Sequence, residues 1–137
     1  MRNEKSILLV EDDVVDRMSV QRALRDLRIT NLLHVARDGE EAMAYLRSSE
    51  KEKPGIILLD LNMPRMNGIE FLKAIKQDIS LKVIPVVVMT TSNEEKDRTE
   101  SFGLGVAGYM IKPADYSQFV DIVREFKAYW TLSELAE

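Results

Sequence analysis

The chain has 137 residues, 45% of them hydrophobic and 31% charged, which is typical of one globular domain of ordinary size. Its formal net charge of −4 argues against nucleic acid or an anionic membrane surface as the primary partner. It has no cysteine and a single histidine, His34, which excludes disulfides, iron–sulfur clusters and zinc sites built on cysteine or on two histidines.

Five short apolar runs predict β-strands that are buried in a sheet. Three of the runs are nearly continuous rather than alternating, which is typical of parallel strands covered on both faces. In chain order the predicted strands are Ser6–Val10, Leu32–Ala36, Ile56–Leu59, Ile84–Met89 and Ala107–Ile111.

Segments with helical periodicity separate these runs and follow the last one. The predicted helices are Val14–Leu27, Asp38–Arg47, Ile69–Ile79, Asn93–Phe102 and Asp115–Trp130. Asp38 is the predicted N-cap of the second helix, and Met18 and Ile79 are expected on apolar faces that point to the core. Five βα units predict an α/β fold, a doubly wound parallel five-stranded sheet with helices on both faces. We expect one domain over residues 1–137, with its core at about 6–128 and an extension at 129–137.

Residues with reactive or charged side chains follow the strands. Glu11, Asp12 and Asp13 come after the first strand and Asp60 after the third, while Thr90-Thr91-Ser92 follows the fourth and Lys112 the fifth. Because the carboxyl ends of parallel strands lie at one edge of the sheet, we expect these groups to converge there. Each motif alone is also typical of a helix cap or an ordinary loop. Their joint occurrence at one edge favours a site.

The chemistry of this set suits a hard cation and a phosphoryl group. Asp12 and Asp60 provide carboxylates for Mg²⁺, and a backbone carbonyl near Asn62 provides a further oxygen. Lys112 adds a positive charge for phosphate oxygens, and a threonine hydroxyl adds a hydrogen-bond donor. In such a site a carboxylate can act as the nucleophile that forms an acyl phosphate.

The strings ILLVEDD, LLDLNMPRMNG, VVVMTTS and GYMIKP, in this order, resemble the receiver domain of two-component response regulators. The resemblance extends from Ile7 to about Phe126. It implies a flavodoxin-like sheet with strand order 2-1-3-4-5 and Mg²⁺ as the cofactor. It also implies a cytoplasmic phosphoprotein that accepts a phosphoryl group from a sensor histidine kinase or a phosphotransfer protein. Such a protein is not an enzyme with a separate substrate, although it assists its own phosphorylation and dephosphorylation.

The resemblance assigns roles to individual residues. Asp60 is the implied phosphoacceptor, which becomes 4-aspartylphosphate. Asp12 is the implied direct ligand of the metal together with Asp60, Glu11 acts mainly through water, and the backbone carbonyl of Asn62 completes the set. Asp13 is expected to stay peripheral.

The resemblance further implies a switch. Lys112 is expected to contact the acyl phosphate, and its bond to Pro113 is expected to be cis. Thr90 is the implied switch hydroxyl, and Tyr109 the aromatic side chain that turns inward when Thr90 moves. The face formed by the fourth helix, the fifth strand and the fifth helix would then change, and it is the predicted surface for a homodimer or another protein partner.

Two peripheral features resemble stand-alone regulators associated with phytochrome-type sensor kinases. The charged segment Ser48–Pro54 lengthens the connection before the third strand, and it is predicted to be a solvated loop. The C-terminal extension carries Trp130, Leu132 and Leu135, which are predicted either to pack on the domain or to form a dimer contact. Because no output domain is predicted, the output is expected to be a protein contact or phosphate relay, with no nucleic-acid or membrane partner.

Three alternatives remain open at this point. A flavodoxin-like module that binds a nucleotide or a flavin would need a hydroxyl- and glycine-rich loop where Glu11, Asp12 and Asp13 stand. A hydrolase with an aspartyl-phosphate intermediate would carry an acid at the position of Asn62. A degenerate receiver that acts only as a scaffold would lack some of the residues named above.

Overall fold

The computed structural model describes residues 5–136, and side chains are described for residues 5–128. The strands form one parallel sheet in the order β2-β1-β3-β4-β5, which confirms the predicted fold class. The strands are β1 (Ile7–Val10), β2 (Leu33–Ala36), β3 (Ile56–Leu59), β4 (Val86–Thr90) and β5 (Gly108–Ile111). The helices are α1 (Val14–Asp26), α2 (Gly39–Arg47), α3 (Gly68–Lys76), α4 (Glu95–Gly103) and α5 (Tyr116–Ala136).

The continuous apolar runs are explained by a core on each face of the sheet. Along β1, Leu8 and Val10 point into one core, while Ile7 and Leu9 point into the other. Helices α2 and α3 cover the first face, and α1 and α5 cover the second. Every residue of β1 and β3 is buried, so neither strand has room for a polar position before its carboxyl end.

Two residues expected in the core lie in solvent instead. The side chain of Met18 is 61% exposed, because the buried face of α1 is set by Val20, Ala23 and Leu24. Met18 stands two positions before Val20, about 200° around the helix. The side chain of Ile79 is 81% exposed, because α3 ends at Lys76 and the chain turns away from the core.

The end of α3 has a local cause. The side chain of Asp78 accepts hydrogen bonds from both the N–H and the hydroxyl of Ser80, at 2.9 and 2.8 Å. A side chain that bonds the backbone in this way competes with continued helix. The strand β4 likewise begins two residues later than predicted, directly after Pro85, whose nitrogen has no hydrogen to donate to the ladder.

The C-terminal helix is longer than the sequence pattern predicted. Its backbone continues to Ala136, beyond the expected end at Trp130. The predicted interface of Trp130, Leu132 and Leu135 lies outside the described side chains and stays a prediction. Within residues 5–136, no helix is both long enough and apolar enough to cross a lipid bilayer.

His34 has structural surroundings. It lies half-buried in β2, and its ring centroid is 5.0 Å from that of Tyr45 on α2. This contact gives His34 a packing role between β2 and α2.

Asp38 connects two loops at the carboxyl edge of the sheet. Its Oδ1 accepts a hydrogen bond from the backbone N–H of Glu41 at 2.9 Å, which makes it the N-cap of α2 as predicted. Its other oxygen pairs with the guanidinium of Arg65 in the loop after β3. Burial of Asp38 opposes ionisation, but these hydrogen bonds outweigh it and lower the pKa of the carboxyl group.

We predict that Asp38→Ala lowers the free energy of unfolding by about 1–2 kcal/mol, because the cap of α2 and the partner of Arg65 are lost together. Asp38→Asn is the matched control, since asparagine also caps helices and loses only the charge. Urea unfolding at neutral pH measures both variants. Equal stability of Asp38→Ala and the parent protein would contradict this role.

Candidate functional site

The strand order creates a crevice at the carboxyl ends of the two central strands. The chain leaves β1 towards α1 on one face of the sheet and leaves β3 towards α3 on the other. Val10 and Leu59, the last residues of these strands, are paired in register, so the next residues on each strand are close neighbours. Ligands of open α/β sheets bind at such a divergence of loops.

Three carboxylates meet in this crevice. One oxygen from each of Glu11, Asp12 and Asp60 lies within 4.8 Å of the other two. Glu11 and Asp60 are only 2% and 7% exposed, whereas Asp12 is open to solvent. The predicted acidic cluster therefore exists, with two buried carboxylates behind one at the mouth.

The loop after β1 is held by hydrogen bonds between side chains and backbone groups of the loop and of α1. Arg17 donates hydrogen bonds to the carbonyl oxygens of Glu11 and Asp12, at 3.2 and 2.9 Å. Asp13 caps α1 by accepting from the N–H of Asp16 at 3.0 Å. Asp13 is thus a structural residue beside the cluster, as expected.

The loop after β3 is held by a close helix contact. Gly68, the first residue of α3, donates its N–H to the carbonyl oxygen of Leu61 at 3.0 Å. A Cβ atom at Gly68 would lie 2.6 Å from the carbonyl oxygen of Asp60, so only glycine permits this approach. Asn62 lies exposed in the same loop, and its N–H is 3.4 Å from Oδ1 of Asp60.

Lys112 brings a positive charge to the cluster. Its Nζ bonds a carboxylate oxygen of Glu11, lies 2.9 Å from Oδ2 of Asp16 and 3.7 Å from Oδ2 of Asp60. The lysine side chain is 8% exposed, so its ion pairs with Glu11 and Asp60 are shielded from water, whereas Asp16 is partly exposed. Asp16 was not among the predicted site residues. An acid in the first turn of a helix is usually explained by the helix dipole, so the sequence held no separate signal for it.

The charges in the crevice do not balance. Burial raises the pKa of Glu11 to about 7, and Asp60 adds to the shift, although Lys112 opposes it. Burial also disfavours the charged form of Lys112, but its bonds to Asp16 and Glu11 prevail and raise the pKa of the ammonium group. One ammonium thus faces several carboxylates, and a hard cation with oxygen ligands fits the remaining negative charge.

Thr90 and Tyr109 both contact Ser92. Thr90 is fully buried at the end of β4, and its hydroxyl oxygen accepts a hydrogen bond from the N–H of Ser92 at 3.2 Å. The hydroxyl of half-buried Tyr109 donates to the carbonyl oxygen of Ser92 at 3.0 Å. The carbonyl of Thr90 in turn accepts from the N–H of Lys112 at 2.8 Å. The predicted switch pair therefore connects through one residue, at the edge that also carries Lys112.

One expectation from the resemblance is wrong in this structure. The peptide bond between Lys112 and Pro113 is trans rather than cis. The trans isomer is the intrinsically favoured one for a bond to proline, by about 0.5–1 kcal/mol.

Comparison with protein families gives one match that covers most of the chain. Residues 7–124 match the model of the response regulator receiver domain. The matched segment includes both central strands, all three carboxylates and Lys112.

Individual relatives point the same way. Response regulator Rcp1 from Synechocystis is 41% identical over 130 residues, which cover 92% of this chain and 88% of Rcp1. The probable methanogenesis regulatory protein FilR2 from Methanothrix harundinacea is 39% identical over 127 residues, covering 90% of this chain and 82% of FilR2.

Solved structures agree in fold as well as in sequence. The crystal structure of the phosphorylated cyanobacterial phytochrome response regulator RcpA superposes with a TM-score of 0.88 at 42% identity, covering 94% of this chain and 95% of RcpA. The Mn²⁺-bound form of Rcp1 superposes with a TM-score of 0.85 at 41% identity, covering 92% and 94%. The fold predicted from the sequence and the observed strand order are those of these proteins.

We predict that the metal-free protein becomes less stable as the pH rises from about 4.5 to about 7. Glu11 has a pKa of about 7 when folded and 4.5 as a free side chain, so the folded state retains a proton that the unfolded state has lost. Chemical unfolding in EDTA across this range measures the slope. Glu11→Gln is expected to flatten it, and an unchanged slope in that variant would contradict the assignment to Glu11.

Proposed function

The chain belongs to the response regulator receiver domain family, and from this membership we propose that it is a signalling protein phosphorylated on Asp60 by a sensor histidine kinase or a phosphotransfer protein. The observation that carries the proposal is the convergence of Glu11, Asp12, Asp60 and Lys112 in one crevice. A carboxylate so placed is shielded from bulk water, faces an ammonium group 3.7 Å away and stands at the carboxyl end of a rigid strand.

The proposed reaction is an in-line phosphoryl transfer. An oxygen of the Asp60 carboxylate attacks the phosphorus of a phosphohistidine, the new P–O bond forms, and the P–N bond breaks with its electron pair left on the imidazole. The buried strand end holds Asp60 in a fixed position, which removes the cost of orienting it. Lys112 approaches one oxygen of the transferred group and stabilises the acyl phosphate that forms by offsetting part of its charge.

We further propose Mg²⁺ as the cofactor. Asp12 and Asp60 would bind it directly, Glu11 through water, and the carbonyl oxygen of Asn62 would complete the protein ligands. Bound there, the ion would neutralise charge on the carboxylates and on the phosphoryl group. The Mn²⁺-bound form of the relative Rcp1 supports a divalent ion in this family.

The proposed output is a change at the face formed by α4, β5 and α5. Phosphorylation would draw the Thr90 hydroxyl towards the phosphoryl group and away from the N–H of Ser92. Tyr109 holds the carbonyl of the same residue, so it would lose its present anchor and reorient. Phe102 on α4 is 51% exposed, and its ring centroid lies 6.4 Å from that of Tyr109. We propose that this face contacts a second copy of the chain or another protein.

The similarity to the phytochrome response regulator RcpA favours a phytochrome-type kinase as the phosphoryl donor. We propose a cytoplasmic protein that itself binds neither nucleic acid nor membrane, in line with its net charge of −4. A bound nucleotide or flavin is disfavoured, because its phosphate would meet the three clustered carboxylates.

We predict that Asp60→Asn abolishes labelling by radioactive acetyl phosphate, because the amide nitrogen and oxygen do not replace the carboxylate as nucleophile. Acid gel electrophoresis with phosphorimaging measures the label. Asp13→Asn is the matched control, since it removes an acid from the same edge but keeps the helix cap. Label that persists in Asp60→Asn would place the acceptor elsewhere.

We also predict that saturating Mg²⁺ raises the melting temperature, since a ligand that binds only the folded state stabilises it. The rise is expected to be smaller at about pH 6 than at about pH 8, because protons compete with the ion for carboxylates such as Glu11. Asp12→Asn should remove most of the rise in a thermal shift assay. An undiminished rise in that variant would refute the ligand role of Asp12.

A further inference from the structure

Lys112 is shared among carboxylates, and the one proposed to accept the phosphoryl group is the most distant. Its Nζ bonds Glu11, lies 2.9 Å from Asp16 and only then reaches Asp60, at 3.7 Å. An ammonium group has three hydrogens to donate, and its short charge-assisted hydrogen bonds to carboxylates are the strong ones. In this structure the lysine ammonium therefore lies closer to the carboxylates of Glu11 and Asp16 than to that of Asp60.

Asp16 is well fixed for this contact. It stands in the first turn of α1, and its backbone N–H donates to the capping side chain of Asp13 at 3.0 Å. Its side chain is 37% exposed, and Asp16 and Lys112 both line a cavity of about 340 Å³. The cavity therefore leaves open space on the Asp16 side of the lysine side chain.

The inference rests on the proposed function, because it concerns the phosphorylated form of Asp60. We propose that Asp16 is a positioning residue that competes with the phosphoryl group for the Lys112 ammonium and thereby shortens the lifetime of phosphorylated Asp60. When the ammonium bonds Asp16, the phosphoryl oxygens lose a hydrogen-bond donor and a neutralising charge. The phosphorylated state is then less stable than it would be with Lys112 fully engaged.

The step affected is hydrolysis of the acyl phosphate. A water oxygen attacks phosphorus, the bond between phosphorus and the Asp60 oxygen breaks, and its electron pair returns to the carboxylate. The water proton leaves to solvent, and inorganic phosphate departs. The engaged Lys112 bonds the phosphoryl oxygens of the acyl phosphate. In a loose transition state these oxygens carry less negative charge than in the acyl phosphate, so Lys112 stabilises the phosphorylated ground state more than the transition state. Asp16 accelerates hydrolysis by weakening that stabilisation.

The test compares two variants that each remove one negative charge near the start of α1, one at Asp16 in the first turn and one at the N-cap Asp13. Asp16→Asn removes the competitor, whereas Asp13→Asn removes an equal charge, keeps the cap and leaves the carboxylates around Lys112 in place. Fluoroberyllate, a phosphoryl mimic, is titrated in the presence of Mg²⁺ by isothermal calorimetry, and the decay of labelled protein is followed in parallel.

Asp16→Asn is expected to bind fluoroberyllate about fivefold more tightly and to lengthen the half-life of the label by a similar factor, the size of one partly exposed ion pair. Asp13→Asn should change the affinity for fluoroberyllate and the half-life of the label by less than about twofold, because it alters the net charge near the site without touching the partners of Lys112. Asp16→Glu should restore the parent values. Equal effects of Asp16→Asn and Asp13→Asn, or no effect of either, would overturn the proposal.

A metal-free measurement tests the contact itself. In EDTA, the changes in urea midpoint caused by Asp16→Asn and Lys112→Gln are expected to be non-additive in the double variant, since the two residues share one bond. Strict additivity would overturn the positioning role. A parent protein that takes up neither fluoroberyllate nor label would instead refute the proposed function, and the Asp16 role would fall with it.

Discussion

Repulsion between clustered carboxylates is the constraint around which this molecule is arranged. Glu11, Asp12 and Asp60 approach within 4.8 Å, and two of them are nearly buried, where water does little to screen them. Burial, with a smaller contribution from the charge of Asp60, raises the pKa of Glu11. Such a cluster is tolerated only with compensating charge, and Lys112 supplies part of it from the far end of the sequence. The remaining negative charge is what a divalent ion would neutralise.

The fold contributes rigidity to this site. The acids follow strands whose every residue is buried, so the strand ends cannot relax apart. Arg17 holds the carbonyls of one loop, and the close approach of Gly68 fixes the other. Asp38 and Arg65 join the start of α2 to the loop after β3. The carboxylates are thereby held close together by contacts that involve no ligand, which is the arrangement expected of a preorganised site.

Lys112 and Ser92 lie near each other and have separate roles in the proposed mechanism: Lys112 in the lifetime of the phosphorylated state and Ser92 in its transmission. The ammonium group of Lys112 lies near the carboxylate of Asp60 and has an alternative ion-pair partner in Asp16. Ser92 is held by Thr90 through its N–H and by Tyr109 through its carbonyl. A two-state response needs an element that has different contacts in each state. In the proposed mechanism, a change in the contacts of Lys112 would set the lifetime of the modification, and a change in the contacts of Ser92 would transmit it to α4 and β5.

Local sequence patterns are enough to predict the five βα units, because continuous apolar runs and helical periodicity are signals that burial on two faces of a sheet imposes. The order of the acids and Lys112 along the strand ends predicted that Glu11, Asp12, Asp60 and Lys112 converge, but it did not predict Asp16. The exposure of Met18 and Ile79 could not be predicted from the sequence, since the buried face of a helix is defined only by what packs against it. Asp16 and Lys112 are 96 positions apart, and their bond depends on how α1 lies beside the end of β5. Only the tertiary structure decided that contact, because no local pattern specifies the distance between side chains on separate elements.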